Sequence, residues 1–178
     1  MKTRREFLKK TSALTALGRM TDWALAAQPN DHLGELLPKR KLTRNGEKVT
    51  AFCLGGYHLG LTDSPKEAEQ MIERSIEVGI RFFDNARRYN DGRSEEYMGR
   101  FLIPKYRNEI FLMSKAPART ADGVRQQLDE TLKALNTDYL DLWQIHALQT
   151  PEDVDNRINE GVLDVFLNAR EKGKARYI

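Results

Sequence analysis

Three ionisable residues recur at a constant interval in this chain. Asp84, Lys115 and His146 stand 31 positions apart, one after the next. Each follows a run dominated by apolar residues, at 80–83, 109–114 and 139–145. Helical patterns fill the intervals. After Ser64-Pro65-Lys66-Glu67, a capping box with proline at the first helical position, Ala68, Met71, Ile72, Ser75 and Ile76 share one face. Gly79 ends that helix. A second helix is predicted from about Ser94 to Leu102. A third carries Val124, Leu128, Leu132 and Leu135 on one side, and a fourth covers 162–172 before Gly173. A first strand at 51–54 and a fifth at 175–178 lie about one interval outside the set. Strand–helix units repeating in this way are βα repetition with right-handed crossovers.

Two closures are compatible with that repeat, an open doubly wound sheet and a (β/α)8 barrel. The open sheet favours a glycine-rich phosphate turn after its first strand, and Cys53-Leu54-Gly55-Gly56-Tyr57 is a poor match. The barrel gathers its chemistry at the carboxyl ends of several strands, which is where Asp84, Lys115 and His146 fall. The expectation is therefore an α/β chain of the (β/α)8 type. A whole barrel takes about 250 residues, so the 178 residues here correspond to about its first half. Ahead of the repeat, residues 41–50 read as a hairpin turning at Asn45-Gly46. Residues 28–38 read as a linker, leaving 39–178 as the partial barrel.

Charge is unevenly spread. Lys2, Arg4, Arg5, Lys9 and Lys10 against Glu6 give the first ten residues +4, so the remainder carries −1 of the total +3. The basic character belongs to the leader, and no nucleic-acid surface is expected on the body. Residues 1–27 read as an export leader. Within them Thr3-Arg4-Arg5-Glu6-Phe7-Leu8-Lys9 resembles the twin-arginine motif, which implies the export machinery as a partner and a periplasmic or exported location. A basic N-terminal arm on a cytoplasmic protein is the alternative. No stretch approaches the ~20 apolar residues of a transmembrane helix. The single cysteine, Cys53, excludes an intrachain disulfide and a cysteine-cluster metal site. It is expected to pack as a small buried hydrophobe.

The residue types at the strand ends suggest a reaction. Tyr89 lies in the loop after Asp84. A phenol is too weak an acid to exchange protons readily at neutral pH, and a neighbouring ammonium favours its ionised form. Lys115 supplies such a cation, Asp84 holds it, and His146 orients a substrate oxygen. That group suits proton transfer to a carbonyl oxygen. Reduction also needs a hydride, which no side chain provides, so a nicotinamide cofactor is implied. Arg87 and Arg88 could meet an anion but read as solvated loop charges.

At these residues the chain resembles the aldo-keto reductase family. The family's Asp-Thr-Ala, two variable residues, Tyr-Gly and a later Ser-Glu pair are matched by Asp84-Asn85-Ala86-Arg87-Arg88-Tyr89-Asn90 and Ser94-Glu95. Its lysine and histidine resemble Lys115 and His146, the latter led in by Asp138-Tyr139-Leu140-Asp141-Leu142. The resemblance spans about 42–178. It implies NADPH-dependent reduction of aldehydes or ketones, with Tyr89 as proton donor, Lys115 easing its ionisation, Asp84 supporting the lysine and His146 positioning the carbonyl. Gly55, Gly56 and Tyr57, with Asp84, would line the nicotinamide side of NADP(H). Asn85 and Asn90 depart from the usual threonine and glycine, and Cys53 stands where a glycine is common.

Other readings of the same fold are a non-catalytic cofactor-binding or regulatory subunit and an inactive fragment. The family binds most of its cofactor beyond the fifth strand. The 178-residue chain alone is accordingly expected neither to bind NADPH tightly nor to turn over. A fluorescence titration checks this, and saturable micromolar binding to the isolated chain would refute it.

Overall fold

The computed structural model describes residues 30–178, except 43 and 45. The leader at 1–27, and Asn45 of the expected turn, lie outside the described residues. Five parallel strands form the main sheet: β5 (Leu54–Gly55), β6 (Phe82–Asp84), β7 (Phe111–Ala116), β8 (Leu140–Ile145) and β9 (Ala175–Tyr177). Each pairs with its predecessor in sequence, giving the order β5-β6-β7-β8-β9. Ahead of them come two antiparallel pairs, β1 (Asn30–Asp31) with β2 (Gly34–Glu35) and β3 (Lys39–Lys41) with β4 (Lys48–Thr50). The second is the hairpin expected at 41–50, begun two residues earlier.

Helices cover one face of the sheet: α1 (Gly56–Leu59), α2 (Pro65–Glu77), α3 (Arg93–Tyr97), α4 (Ile103–Tyr106), α5 (Ala121–Leu135), α6 (Pro151–Asn159) and α7 (Val162–Glu171). The start of α2 is capped as its sequence predicts, with Ser64 Oγ accepting from Glu67 N at 3.2 Å. The Glu67 carboxylate accepts from Asp63 N rather than from Ser64 N. The helix expected at 94–102 is longer and irregular. A wide π-type turn, Met98–Leu102, links α3 to α4. There a side chain at Gly99 would run into the backbone of Ala134 and Leu135 on α5, so glycine is what lets the two helices approach. Helix α6 is not among the helices predicted from the sequence. Thr150 caps it, accepting from Asp153 N at 3.1 Å, with Pro151 at its first position.

Strand alternation divides the side chains. Phe83, Leu112, Ala116 and Trp143 turn toward the helices and are buried with Ile72, Met98, Leu102, Val124, Leu135 and Phe166. Trp143 stacks on Phe166 at 3.8 Å between ring centroids. Each such fully buried large side chain contributes about 1.5–3 kcal/mol. On the opposite face Phe82 meets Phe111 edge-on at 5.4 Å, and Phe111 stacks with Tyr177.

Charged clamps close the base of the sheet. Arg81, 3% exposed, makes a two-point pair with Asp31 at 2.8 and 3.0 Å and donates to Ile76 O and Ile80 O. The stretch taken for a linker is thereby structured in its described part, with Leu36 buried and Leu37 N bonded to Gly79 O. Gly79 has φ +86, and a Cβ there would touch Glu35 O at 2.5 Å. Cys53 departs from expectation and is exposed. Strand β5 begins only at Leu54, so Cys53 sits in the bend before it rather than under the helix layer.

Asp141, a polar residue within an apolar strand, is 2% exposed. It accepts from Leu112 N at 2.9 Å, Arg107 at 3.0 Å and Arg176 at 2.6 Å. Removing it strands a buried amide and a largely buried guanidinium. Asp141→Ala is expected to lower the unfolding free energy by about 3–5 kcal/mol, read as a fall in the urea midpoint.

Candidate active site

The rim formed by the carboxyl ends of β5 to β8 is built by register. Asp84 on β6 pairs with Met113 on β7, and Lys115, two residues beyond, lies on the same face. Gln144 on β8 is opposite Lys115, and His146 follows two residues later. Side chains from three strands therefore converge at one mouth.

At its centre the Lys115 ammonium is ion-paired with the Asp84 carboxylate. It also donates to Asn85 O at 2.8 Å and lies 3.5 Å from the Tyr89 hydroxyl. Its side chain is 15% exposed, that of Asp84 30%. Charges so far out of water need such partners to offset desolvation. The Tyr89 ring stands edge-on to His146 at 5.8 Å and to Tyr57 at 5.6 Å. The four residues singled out in the sequence thus occupy one contact group, with Tyr57 at its edge.

The loop that delivers Tyr89 is fixed from several sides. Asn85 N bonds Met113 O and Arg87 N bonds Lys115 O, both at 3.0 Å, prolonging the strand pairing past Asp84. Asn85 is fully buried and turns its side-chain oxygen back to Ala86 N. Asn90 and Asp91 have φ of 52° and 56°, a left-handed pair that these two residue types tolerate. Asn90, which departs from the glycine that the resemblance implies, adopts the left-handed conformation itself, and its amide donates to Tyr57 O at 2.8 Å.

Gly55 closes β5 beside Asp84, and nothing lies within 4 Å of where its side chain would be. Gly56 is the reverse. A Cβ there would meet Ser94 Oγ at 2.5 Å and Asn85 Oδ1 at 2.7 Å, while Ser94 Oγ donates to Gly56 O. The open backbone at Gly55, beside a carboxylate and the half-exposed Tyr57 ring, fits one face of a flat ring such as a nicotinamide, whereas Gly56 is buried against Ser94 and Asn85.

The His146 backbone is tied to Ala116 O at 2.9 Å. Its Nδ1 is buried and has no hydrogen-bond partner among the described residues. Burial, then the charges of Lys115 and Arg88, push its pKa below the usual value of 6.5, against a smaller opposing pull from Asp84. The imidazole is accordingly neutral at pH 7.

Glu95, known from the sequence only as half of the Ser-Glu pair, and Glu130, which no motif marked, account for Arg87. Its guanidinium meets Glu95 at 3.3 Å and Glu130 at 3.1 Å, so it is not a solvated loop charge. Arg88 is exposed. The Ser-Glu pair at 94–95 marked the position of Glu95, but pairwise spacing carries no sign of a buried carboxylate.

A family model described as "Aldo/keto reductase family" matches residues 51–178. The chain belongs to that family. The uncharacterized oxidoreductase YqkF of Bacillus subtilis is 31% identical over 151 residues, covering 78% of this chain and 47% of the relative. Aldo-keto reductase yakc [NADP(+)] of Schizosaccharomyces pombe is 28% identical, covering 80% and 44%. Among solved structures, aldo-keto reductase AKR11C1 of Bacillus halodurans in its holo form superposes with a TM-score of 0.69 at 25% identity, covering 79% of this chain and 49% of that one. The Bombyx mori aldo-keto reductase AKR2E4 in complex with NADP gives 0.60 at 28% identity, covering 79% and 49%. The chain spans about half the length of the curated relatives it matches. Its five parallel strands and their helices are accordingly part of a (β/α)8 barrel, as the repeat implied.

The depressed His146 pKa has a consequence for stability. The unfolded chain takes up this proton below about 6.5, whereas the folded chain resists it until lower pH. Stability from this site is present above that value and is lost as pH falls through it toward the folded pKa. Histidine NMR is expected to show His146 titrating below 6.5, and Lys115→Met is expected to raise its midpoint. An unmoved midpoint would show that the Lys115 charge does not reach the ring.

Proposed function

We propose that this chain carries the proton-transfer apparatus of an NADPH-dependent reductase of aldehydes or ketones, with Tyr89 as the donor. The observation supporting this most directly is the Lys115 ammonium, which touches Asp84, Asn85 O and the Tyr89 hydroxyl at once. Asp84 fixes the ammonium, and the ammonium stabilises the negative charge that grows on the phenol oxygen as its proton leaves. Neutral His146, through Nε2–H, donates a hydrogen bond to the substrate oxygen and holds it near the phenol. The His146 ring stands edge-on to Tyr89, which keeps the two groups beside the same oxygen. Gly55, Gly56, Tyr57 and Asp84 would hold the nicotinamide end of the cofactor. When bound, that cofactor supplies the hydride that reduces the carbonyl carbon. The choice of NADP(H) is supported by the yeast relative named for NADP(+) and by the Bombyx mori structure that contains it.

Proton donation by a placed group is worth roughly 10²–10⁴ in rate. With the complete gene product, NADPH and a nitrobenzaldehyde, Tyr89→Phe is expected to lower kcat by about that factor and to leave the KM for NADPH unchanged. Undiminished turnover by Tyr89→Phe would end the proposal.

A further inference from the structure

The Tyr89 hydroxyl lies 3.5 Å from Lys115 Nζ, at the outer limit of a hydrogen bond. A few tenths of an ångström at this contact decide whether phenol and ammonium act together. Tyr89 is carried by the loop at 85–93, and the Arg87 side chain in that loop bonds Glu95 and Glu130.

Arg87 spans the inside of the loop. Its Nη1 meets Glu95 Oε2 at 3.3 Å and its Nε meets Glu130 Oε2 at 3.1 Å on α5. Glu95 is fully buried. Its other oxygen accepts from Ser114 Oγ at 2.6 Å and Thr131 Oγ1 at 3.0 Å. Burial pushes this carboxyl up, and Ser114, Thr131 and Arg87 oppose that push. One carboxylate thus joins the start of α3, the middle of α5 and strand β7 at the residue before Lys115. Arg87 links the loop to that junction, while its backbone N–H bonds the carbonyl of Lys115 itself.

The turn from Tyr89 to Gly92 is folded around the guanidinium. Gly92 has φ +90, and a side chain there would overlap Arg87 Nη1. Asn90 and Asp91, between them, both sit in the left-handed region. Two successive left-handed residues are costly in an isolated loop and persist where the surroundings impose them. The guanidinium under Gly92, with the Asn90 contact to Tyr57 O, provides that constraint.

We propose that Arg87 and Glu95 form a strut that positions Tyr89, holding its hydroxyl at the Lys115 ammonium. They are positioning residues, acting through the loop and not on substrate. The inference rests on the proposed pairing of Lys115 with Tyr89, and its test separates the two.

The chain is prepared with tyrosine isotopically labelled at Cζ, and the resonance missing from Tyr89→Phe identifies Tyr89. Lys115→Met calibrates the displacement caused by losing the ammonium. Arg87→Gln and Glu95→Gln are expected to move the resonance in the same direction and by a comparable amount. Arg87→Lys, which keeps the charge but not the fork, should recover part of it. Arg107→Gln breaks an ion pair to buried Asp141 at the base; it should lower the melting temperature and leave the resonance in place. If Lys115→Met displaces the resonance while neither Arg87→Gln nor Glu95→Gln does, the strut is overturned. If Lys115→Met leaves it unmoved, the underlying pairing of ammonium and phenol is what fails.

Discussion

An ion pair between neighbouring parallel strands, Asp84 with Lys115, sets the terms for everything at the rim. Parallel register places the two on one face, where each is partly withdrawn from water. The attraction between them does not by itself offset that withdrawal. The ammonium takes a further acceptor, the carbonyl of Asn85. That carbonyl must face inward, so the chain leaves β6 in a defined direction, with Asn85 and Arg87 hydrogen-bonded to β7. The place of Tyr89 follows from those bonds.

Charge is arranged differently at the two ends of the sheet. At the base, Asp31 with Arg81 and Asp141 with Arg107 and Arg176 are saturated pairs that tie the early chain and the last strand to the middle. At the rim the polar groups are less completely satisfied among the described residues: His146 Nδ1 is buried without a partner there, and the Tyr89 hydroxyl lies 3.5 Å from Lys115 Nζ. Between the ends lies the apolar layer from Phe83 to Phe166. A saturated base with an incompletely satisfied rim fits a division between holding the fold and meeting a ligand.

Much of this was legible in the sequence. The interval from Asp84 to Lys115 to His146 located the strand ends, because one βα unit returns the chain to the same rim. The apolar positions of α2 and α5 matched their buried faces. The misses have separate physical causes. Helix α6 carries charge over most of its length, so its periodicity is weak, although Thr150 before Pro151 was an available start signal. Asp141 and Glu95 look like surface residues until tertiary contacts supply their partners. Arg87 was read as solvated for the same reason. Cys53 was placed inside by its residue type, whereas the late start of β5 leaves it outside.

The strand order has a consequence for how the molecule comes into being. Along β5 to β9 each strand lies beside the one made just before it, so none of these four pairings waits for a distant segment. Chain growth proceeds from the amino end at roughly 5–20 residues per second, which delivers about one strand and helix every few seconds. Each new unit meets a template already in place. Tyr89 precedes Lys115 in the chain, so the loop that carries it has its anchor on β7 only once that later strand has been made.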